Sequence, residues 1–145
     1  MIDLKAARSD PGPVRAALAR KGDFPEARVV LSNILDARGD AAGAAAELER
    51  ALAQRPDYPG ALYNQGLLLT KLGRAAEAEV ALRRLLALAP GYPQARHRLG
   101  SLLYARGEID AAEPLLRAAV EEAPDSAEAH VDLYHVHNIY HRRSL

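Results

Sequence analysis

Histidine is concentrated near the end of the sequence, where an imidazole can bind a metal or exchange a proton near neutral pH. His137 and His141 are four positions apart, so on a helix they lie one turn apart and two neutral imidazoles can share a metal ion. Glu128 and Asp132 are nearby, but neither completes a ligand set on that face by sequence. A weak adventitious metal site is the sharper hypothesis. The simpler one is that His130 and His137 pack on the preceding helices, and we assign no metal or other cofactor.

Catalytic side chains do not converge in this sequence. It has no glycine-rich phosphate loop, no cysteine nucleophile and no Ser, His and acid set at a recognisable spacing. The paired carboxylates of Glu121 and Glu122 fall at a solvated helix end. We therefore predict that the protein is not an enzyme.

Charge and cysteine content narrow the partners and the location. The chain has 145 residues, and its 19 basic and 19 acidic side chains cancel, which leaves no general field to attract nucleic acid or an anionic bilayer. Charged residues interrupt every apolar stretch, so no segment reaches the roughly 20 uncharged apolar residues of a membrane span. Cysteine is absent and the first residues lack an apolar run of signal-peptide length. We expect a cytoplasmic protein that neither binds nucleic acid nor inserts into a membrane.

The elements that position any functional group follow from an internal repeat of 34 residues. A fixed period of this length is typical of stacked helical hairpins, each of which needs its neighbours to bury its apolar face. The positions that recur in one register are Pro56, Pro90 and Pro124; Gly39, Gly73 and Gly107; Ala44, Ala78 and Ala112; Leu48, Leu82 and Leu116; and Leu35, Leu69 and Leu103.

Each repeat divides into two helical halves. In the second repeat, Pro59 suits the first turn of a helix, Gly73 suits its left-handed end, and Pro90 ends the helix that follows. The predicted organisation is an N-terminal segment with a capping helix over 1–24, three hairpins over 25–58, 59–92 and 93–126, and a C-terminal capping helix and tail over 127–145. Tyr134 stands in the register of Ser32, Gly66 and Gly100, which are small because two helices must touch there. A tyrosine at this position would clash with a further helix. This favours a terminal cap.

The repeat resembles the tetratricopeptide repeat, whose pattern is Trp-x-x-Leu-Gly-x-x-Tyr, then Ala-x-x-x-Phe, then Pro. The Leu-Gly pair is intact in the third unit, and the Trp position departs from the pattern. The resemblance implies an all-α, right-handed superhelical solenoid of helical hairpins, with three repeats and capping helices at both ends. The Leu-Gly pair of the pattern corresponds to Leu31 and Ser32, to Gln65 and Gly66, and to Leu99 and Gly100. The Trp position of the pattern corresponds to Arg28, Leu62 and Arg96.

In the resembled family the first helix of each hairpin lines a concave groove that holds peptides or partner helices. The resemblance therefore implies a protein–protein interaction scaffold whose ligand is a protein or peptide. The groove residues that it implies here are Asn33, Tyr63, Asn64, Leu67, Lys71, His97, Arg98, Ser101, Tyr104 and His135.

One subclass of the family clamps a terminal carboxylate between two Lys, two Asn and one Arg. Asn33, Asn64 and Arg98 match, but the lysine positions hold Val29 and Gln94, which removes much of the charge that a desolvated carboxylate needs. A generic peptide groove is favoured over the full clamp. The sharper hypothesis is an acidic or C-terminal peptide bound through Arg98 and His97. The alternative function is a self-associating module, a homodimer that forms through Tyr134, Ile139 and Tyr140 of the last helix.

Overall fold

The structure, a computed structural model, describes residues 10–21 and 24–143, apart from the side chains of 18–21, 140, 141 and 143. All regular secondary structure within these ranges is α-helical, which confirms the predicted all-α class. None of the described helices is long and apolar enough to cross a membrane. The helices are α1 (Gly12–Lys21), α2 (Pro25–Ala37), α3 (Ala41–Gln54), α4 (Pro59–Lys71), α5 (Ala75–Leu88), α6 (Ala95–Ala105), α7 (Ile109–Glu122) and α8 (Ala127–Arg143).

The three turns inside the predicted hairpins share one backbone conformation. Gly39, Gly73 and Gly107 have positive φ values of 84°, 75° and 78°, a region that glycine enters without steric cost. The residue after each glycine donates its N–H to the carbonyl of a leucine five positions earlier, and Asp40 does so to Leu35 at 2.9 Å. The recurring glycines therefore end the first helices, as their spacing predicts.

The chain divides into two compact units, one up to Ala81 and the other from Leu82 onward, and α5 spans the boundary. In the first unit, α2 packs on α3 and α3 packs on α4. Leu31 of α2 and Leu48 of α3 are buried in one apolar cluster. Val14 of α1 joins the same cluster and is buried, so α1 covers the first hairpin as the predicted capping helix. Residues 1–9 and 22–23 of the predicted N-terminal segment lie outside the described residues.

In the second unit, α6 packs on α7, and α8 packs on both. α6 and α7 approach closely at Gly100, where a Cβ atom would lie 2.8 Å from Cγ of Leu116 and 3.3 Å from Cβ of Leu115. Real side chains do not approach so closely. The small residue at this position therefore sets the separation of the two helices, as the sequence predicts.

Two local features of the second unit differ from the sequence pattern. The first helix of its hairpin begins at Ala95, because Gln94 has a φ of 63° and interrupts the helical backbone. α7 begins at Ile109 and has Glu108 at its N-cap without a side-chain cap bond. Pro114 therefore lies beyond the first turn, where it removes a main-chain hydrogen bond, yet α7 continues to Glu122.

The prediction that His130 and His137 pack on the preceding helices is wrong. Ala129 and Val136 are the buried residues of α8, and the two histidines beside them in sequence are exposed. His130 donates from Nε2 to the carbonyl oxygen of Pro124 at 2.8 Å. The packing stripe is thus one position N-terminal to the predicted one. The side chain of His141 lies outside the described residues.

Candidate functional site

The predicted groove residues lie on the first helices of the hairpins and on α8. Asn33 is on α2, and His135 is on α8. The remaining ones are Tyr63, Asn64, Leu67 and Lys71 on α4, and His97, Arg98, Ser101 and Tyr104 on α6. Each of them is exposed or half-buried except His97, which is 6% exposed. The two units carry separate parts of this set.

In the first unit a pocket of about 140 Å³ lies between α2 and α4. Its floor contains the buried side chains of Leu48 and Leu68, together with Ser32, which is 2% exposed. Ser32 occupies the small-residue position of the repeat. A larger residue at that position would occupy the volume of the pocket. The residues around the pocket at the surface are Asn33, Asp36, Asn64, Leu67 and Lys71.

Two polar pairs bridge α2 and α4 across this pocket. The amide of Asn64 donates from Nδ2 to Oδ1 of Asn33 at 3.0 Å. Nζ of Lys71 lies 2.7 Å from Oδ1 of Asp36, and both side chains are substantially exposed. An amide pair joined by one hydrogen bond keeps further donor and acceptor capacity, which is the chemistry that a peptide backbone requires. The resemblance implies Asn33, Asn64 and Lys71 as groove residues, but it does not indicate which residue bonds which.

In the second unit Asp132 of α8 joins two residues of α6. Its Oδ2 accepts a hydrogen bond from Ser101 Oγ and lies 3.0 Å from Nε2 of His97. The set contains Ser, His and Asp, but both side chains of α6 bond the carboxylate. No hydrogen bond between Ser101 and His97 is present in the described part of the chain. The cluster is suited to holding α8 against α6.

Aromatic and cationic groups lie beside this cluster. The rings of Tyr104 and His135 are stacked, with centroids 6.4 Å apart and planes inclined by 20°. Tyr134 tilts against the other side of His135 at a centroid distance of 6.1 Å. Arg98 is half-buried and donates from Nη2 to Oε1 of Gln94 at 3.3 Å, while its Nε is buried without a partner among the described residues.

The described residues contain no group of three or more His, Cys, Asp or Glu side chains that could hold a metal ion. His137 instead faces Glu113, with Nδ1 3.6 Å from Oε1, and Glu113 also pairs with Arg117 at 2.6 Å. Glu113, the carboxylate beside His137, is therefore on α7 and is already paired with the guanidinium of Arg117.

Comparison with protein families gives two matches, both to models described as Tetratricopeptide repeat, over residues 29–93 and 69–133. Together they span well over half of the chain. No protein of curated function matches the sequence significantly.

Solved structures with a similar fold are numerous. The crystal structure of MamA is 20% identical, with a TM-score of 0.87, and the match covers 99% of this chain and 88% of that one. The first TPR of Spaghetti (RPAP3), bound to the HSP90 peptide SRMEEVD, is 20% identical with a TM-score of 0.77 over 80% of this chain and 92% of that one. YrrB, described as a TPR protein with an unusual peptide-binding site, is 20% identical with a TM-score of 0.75, and the match covers 98% of this chain and 66% of that one. At these identities the likeness is one of fold.

Proposed function

Because this chain belongs to the tetratricopeptide repeat family, we propose that it is a protein-interaction scaffold that binds a peptide or partner helix on the surface of its first helices. The observation that carries the proposal is the amide pair of Asn33 and Asn64 above an open pocket. Two of the similar structures are described as binding a peptide or having a peptide-binding site, and we extend that property to this chain.

The first unit supports the proposal with a mixed surface. Leu67 offers an apolar contact beside the pocket, and the amides of Asn33 and Asn64 offer hydrogen bonds to a peptide backbone. Lys71 adds a positive charge, but its pairing with Asp36 at 2.7 Å compensates part of it. An acidic peptide would therefore compete with Asp36 for the ammonium group.

The second unit supports the proposal with Arg98, Tyr104 and His135. Arginine and tyrosine are the side chains that most often dominate the affinity of an interface. The stacked pair of Tyr104 and His135 presents a rigid flat surface. His97 is buried and bonded to Asp132, so in this proposal it supports the surface from beneath. The preferred ligand is an acidic or C-terminal peptide, because Arg98 can bind a carboxylate with two hydrogen bonds.

The proposal is tested by selecting ligands from a random peptide library displayed with free C-termini. Affinities of a selected peptide are then measured by calorimetry for the wild type, Asn64→Ala and Arg98→Ala, with Arg84→Glu on the exposed face of α5 as the control. We expect the variant of the unit that the selected peptide occupies to weaken binding roughly fivefold or more, the effect of losing a residue that dominates an interface. Normal binding by both, with binding abolished by Arg84→Glu, would contradict the proposal.

Amidating the C-terminus of the selected peptide separates the two kinds of acidic ligand. If a terminal carboxylate is recognised, amidation weakens binding to the wild type but changes binding to Arg98→Ala much less. If acidic side chains are recognised instead, both proteins bind the amidated peptide as before.

The alternative function is self-association through α8. Val131 and Tyr134 are three positions apart on this helix and are 51% and 64% exposed, so they form an apolar patch at its surface. The side chain of Tyr140, predicted to belong to the same surface, lies outside the described residues. Light scattering during size-exclusion chromatography separates the two functions. A dimer that Tyr134→Glu converts to a monomer would favour self-association, and a monomer at high concentration would exclude it.

A further inference from the structure

A second cavity, of about 460 Å³, lies in the second unit where α6 and α8 begin and α7 ends. Small-molecule sites typically have volumes of roughly 300 to 1,000 Å³, so this cavity is large enough for a bicyclic aromatic ring. Its apolar walls are the methyl groups of Ala119, Ala123 and Ala129 and the ring of Pro93. The three alanines create the space, because any longer side chain at these positions would occupy it.

Most polar groups around the cavity already have partners. The carboxylate of Glu122 forms an ion pair with Arg96. The hydroxyl oxygen of Ser126 accepts a hydrogen bond from the N–H of Ala129 at 3.3 Å. Gln94, which also lines the cavity, accepts a hydrogen bond from Arg98 at its Oε1. These groups already have partners within the protein, and His97 is the buried polar residue of the lining.

His97 presents a defined hydrogen-bond acceptor. It is 6% exposed, lines the cavity, and has Nε2 3.0 Å from Oδ2 of Asp132, which does not line it. A carboxylate oxygen accepts, so Nε2 carries the hydrogen, and a neutral imidazole then has an unprotonated Nδ1. The side chain of His97 has no other hydrogen bond within the described part of the chain. In the neutral ring Nδ1 is therefore an acceptor without a partner, and it is not closed off from the surface.

We infer that this cavity binds an aromatic ring that carries a single N–H or O–H donor, with the ring against the alanine methyls and the donor on Nδ1 of His97. This site goes beyond the proposed peptide surface. Indole and phenol groups have this chemistry, whether in a free small molecule or in a tryptophan or tyrosine side chain of a partner. Asp132 acts as a positioning residue, because its carboxylate fixes the tautomer of His97.

The test uses indole and indene, which have the same shape but differ in the N–H group, titrated into the full chain and followed by amide chemical shifts in NMR spectra. We expect saturable shifts at residues 119–129 and roughly three- to tenfold tighter binding of indole, the effect of one hydrogen bond. Ala123→Leu fills the cavity from an exposed position and should abolish binding. Ala111→Leu, at an exposed position of α7 outside the cavity, is the control and should bind indole normally.

The absence of saturable binding would overturn the inference, as would equal affinities for indole and indene or unchanged binding by Ala123→Leu. Thermal unfolding of both variants checks that each is folded. N-acetyl-tryptophanamide identifies the source of the ligand. If it shifts the same amides as indole, the site accepts an aromatic side chain of a partner, and if only indole does so, the site takes a free small molecule.

Discussion

Nη1 of Arg28 lies 2.5 Å from Oε2 of Glu47, so the two helices of the first hairpin are joined by a pair of opposite charges. The side chains of Arg28 and Glu47 are only 14% and 7% exposed, and Arg50 binds the second carboxylate oxygen of Glu47 at 2.9 Å. Arg28 occupies the position at which the repeat pattern has Trp. Arg96, in the same position of the third repeat, pairs with Glu122 of its own hairpin. An ion pair thus replaces a large apolar side chain at this position.

Removing Glu47 should destabilise the first hairpin strongly. Glu47→Ala removes the carboxylate that pairs with the largely buried guanidinium of Arg28, and breaking a buried ion pair typically costs about 3 to 5 kcal/mol. Glu49→Ala, an exposed position on the same helix, should change the unfolding free energy by no more than about 0.5 kcal/mol. Urea unfolding followed by circular dichroism measures both, and equal midpoints would show that the pair contributes little.

Enlarging the helix contacts should also destabilise the protein. Gly100→Leu places carbon atoms where Leu116 now lies, and Ala78 is 0% exposed, so a leucine there must be accommodated inside the packed interior. We expect each substitution to cost about 1 to 3 kcal/mol or more. Ala87→Leu, at an exposed position of α5, is the control. Equal shifts of the urea midpoint in all three variants would mean that the assigned packing is wrong.

Asp132 should determine how firmly α8 is held. Asp132→Ala removes the acceptor for both Ser101 and His97 and leaves the buried imidazole without its hydrogen bond. Hydrogen exchange at a single pH should become faster in residues 129–139 and change less in α7. Asp125→Ala, at an exposed position before α8, should leave exchange unchanged. The same protection in all three proteins would show that apolar packing alone holds the helix.

Lys71 should affect binding more than stability. Its contact with Asp36 is an exposed ion pair, a class that contributes at most about 1 kcal/mol. Lys71→Ala should therefore shift the urea midpoint little while weakening an acidic selected peptide. A matched neutral peptide should bind both proteins alike. If the substitution weakens both peptides equally, the charge of Lys71 is not part of recognition.

Glu77 should titrate at low pH. Two hydrogen bonds from Arg74, at 2.8 and 2.6 Å, lower the pKa of this carboxyl below its ordinary value. The small stabilisation from the pair is present above the unfolded-state pKa and is lost as pH falls through the folded-state pKa. Carboxyl carbon shifts in NMR spectra measure the titration. Arg74→Ala should return the pKa of Glu77 toward its ordinary value, and no change on that substitution would assign the shift to another cause.

The repeat made most of the fold predictable. Glycines at a fixed spacing predict the helix ends, because a positive φ is a local property of those residues. Small residues such as Gly100 predict close contacts, because helix separation depends on side-chain size at the contact. Which polar groups bond each other was not predictable. Arg28 and Glu47 are 19 positions apart, and their pairing depends on how two helices rotate against each other.

The last helix, α8, shows a second feature that the sequence pattern did not predict. Apolar residues occur on both sides of α8, since Val136 is buried while Val131 and Tyr134 are exposed. The pattern therefore does not identify the packed face, and a shift by one position moves the histidines from the interior to the surface. The cavity near His97 also has no sequence signal, because alanine is common in helices and three such residues enclose space only after the helices pack.

The most direct test of the proposed peptide-binding surface is photo-crosslinking to a selected peptide. Benzoylphenylalanine is introduced either at Leu67, which borders the pocket between α2 and α4, or at Val80, which is 68% exposed on α5. Both sites belong to the first unit, and their side chains are accessible at the surface, half-buried at Leu67 and exposed at Val80. Binding on the first helices predicts a crosslink from position 67 and none from position 80. A crosslink from position 80 alone would contradict the account.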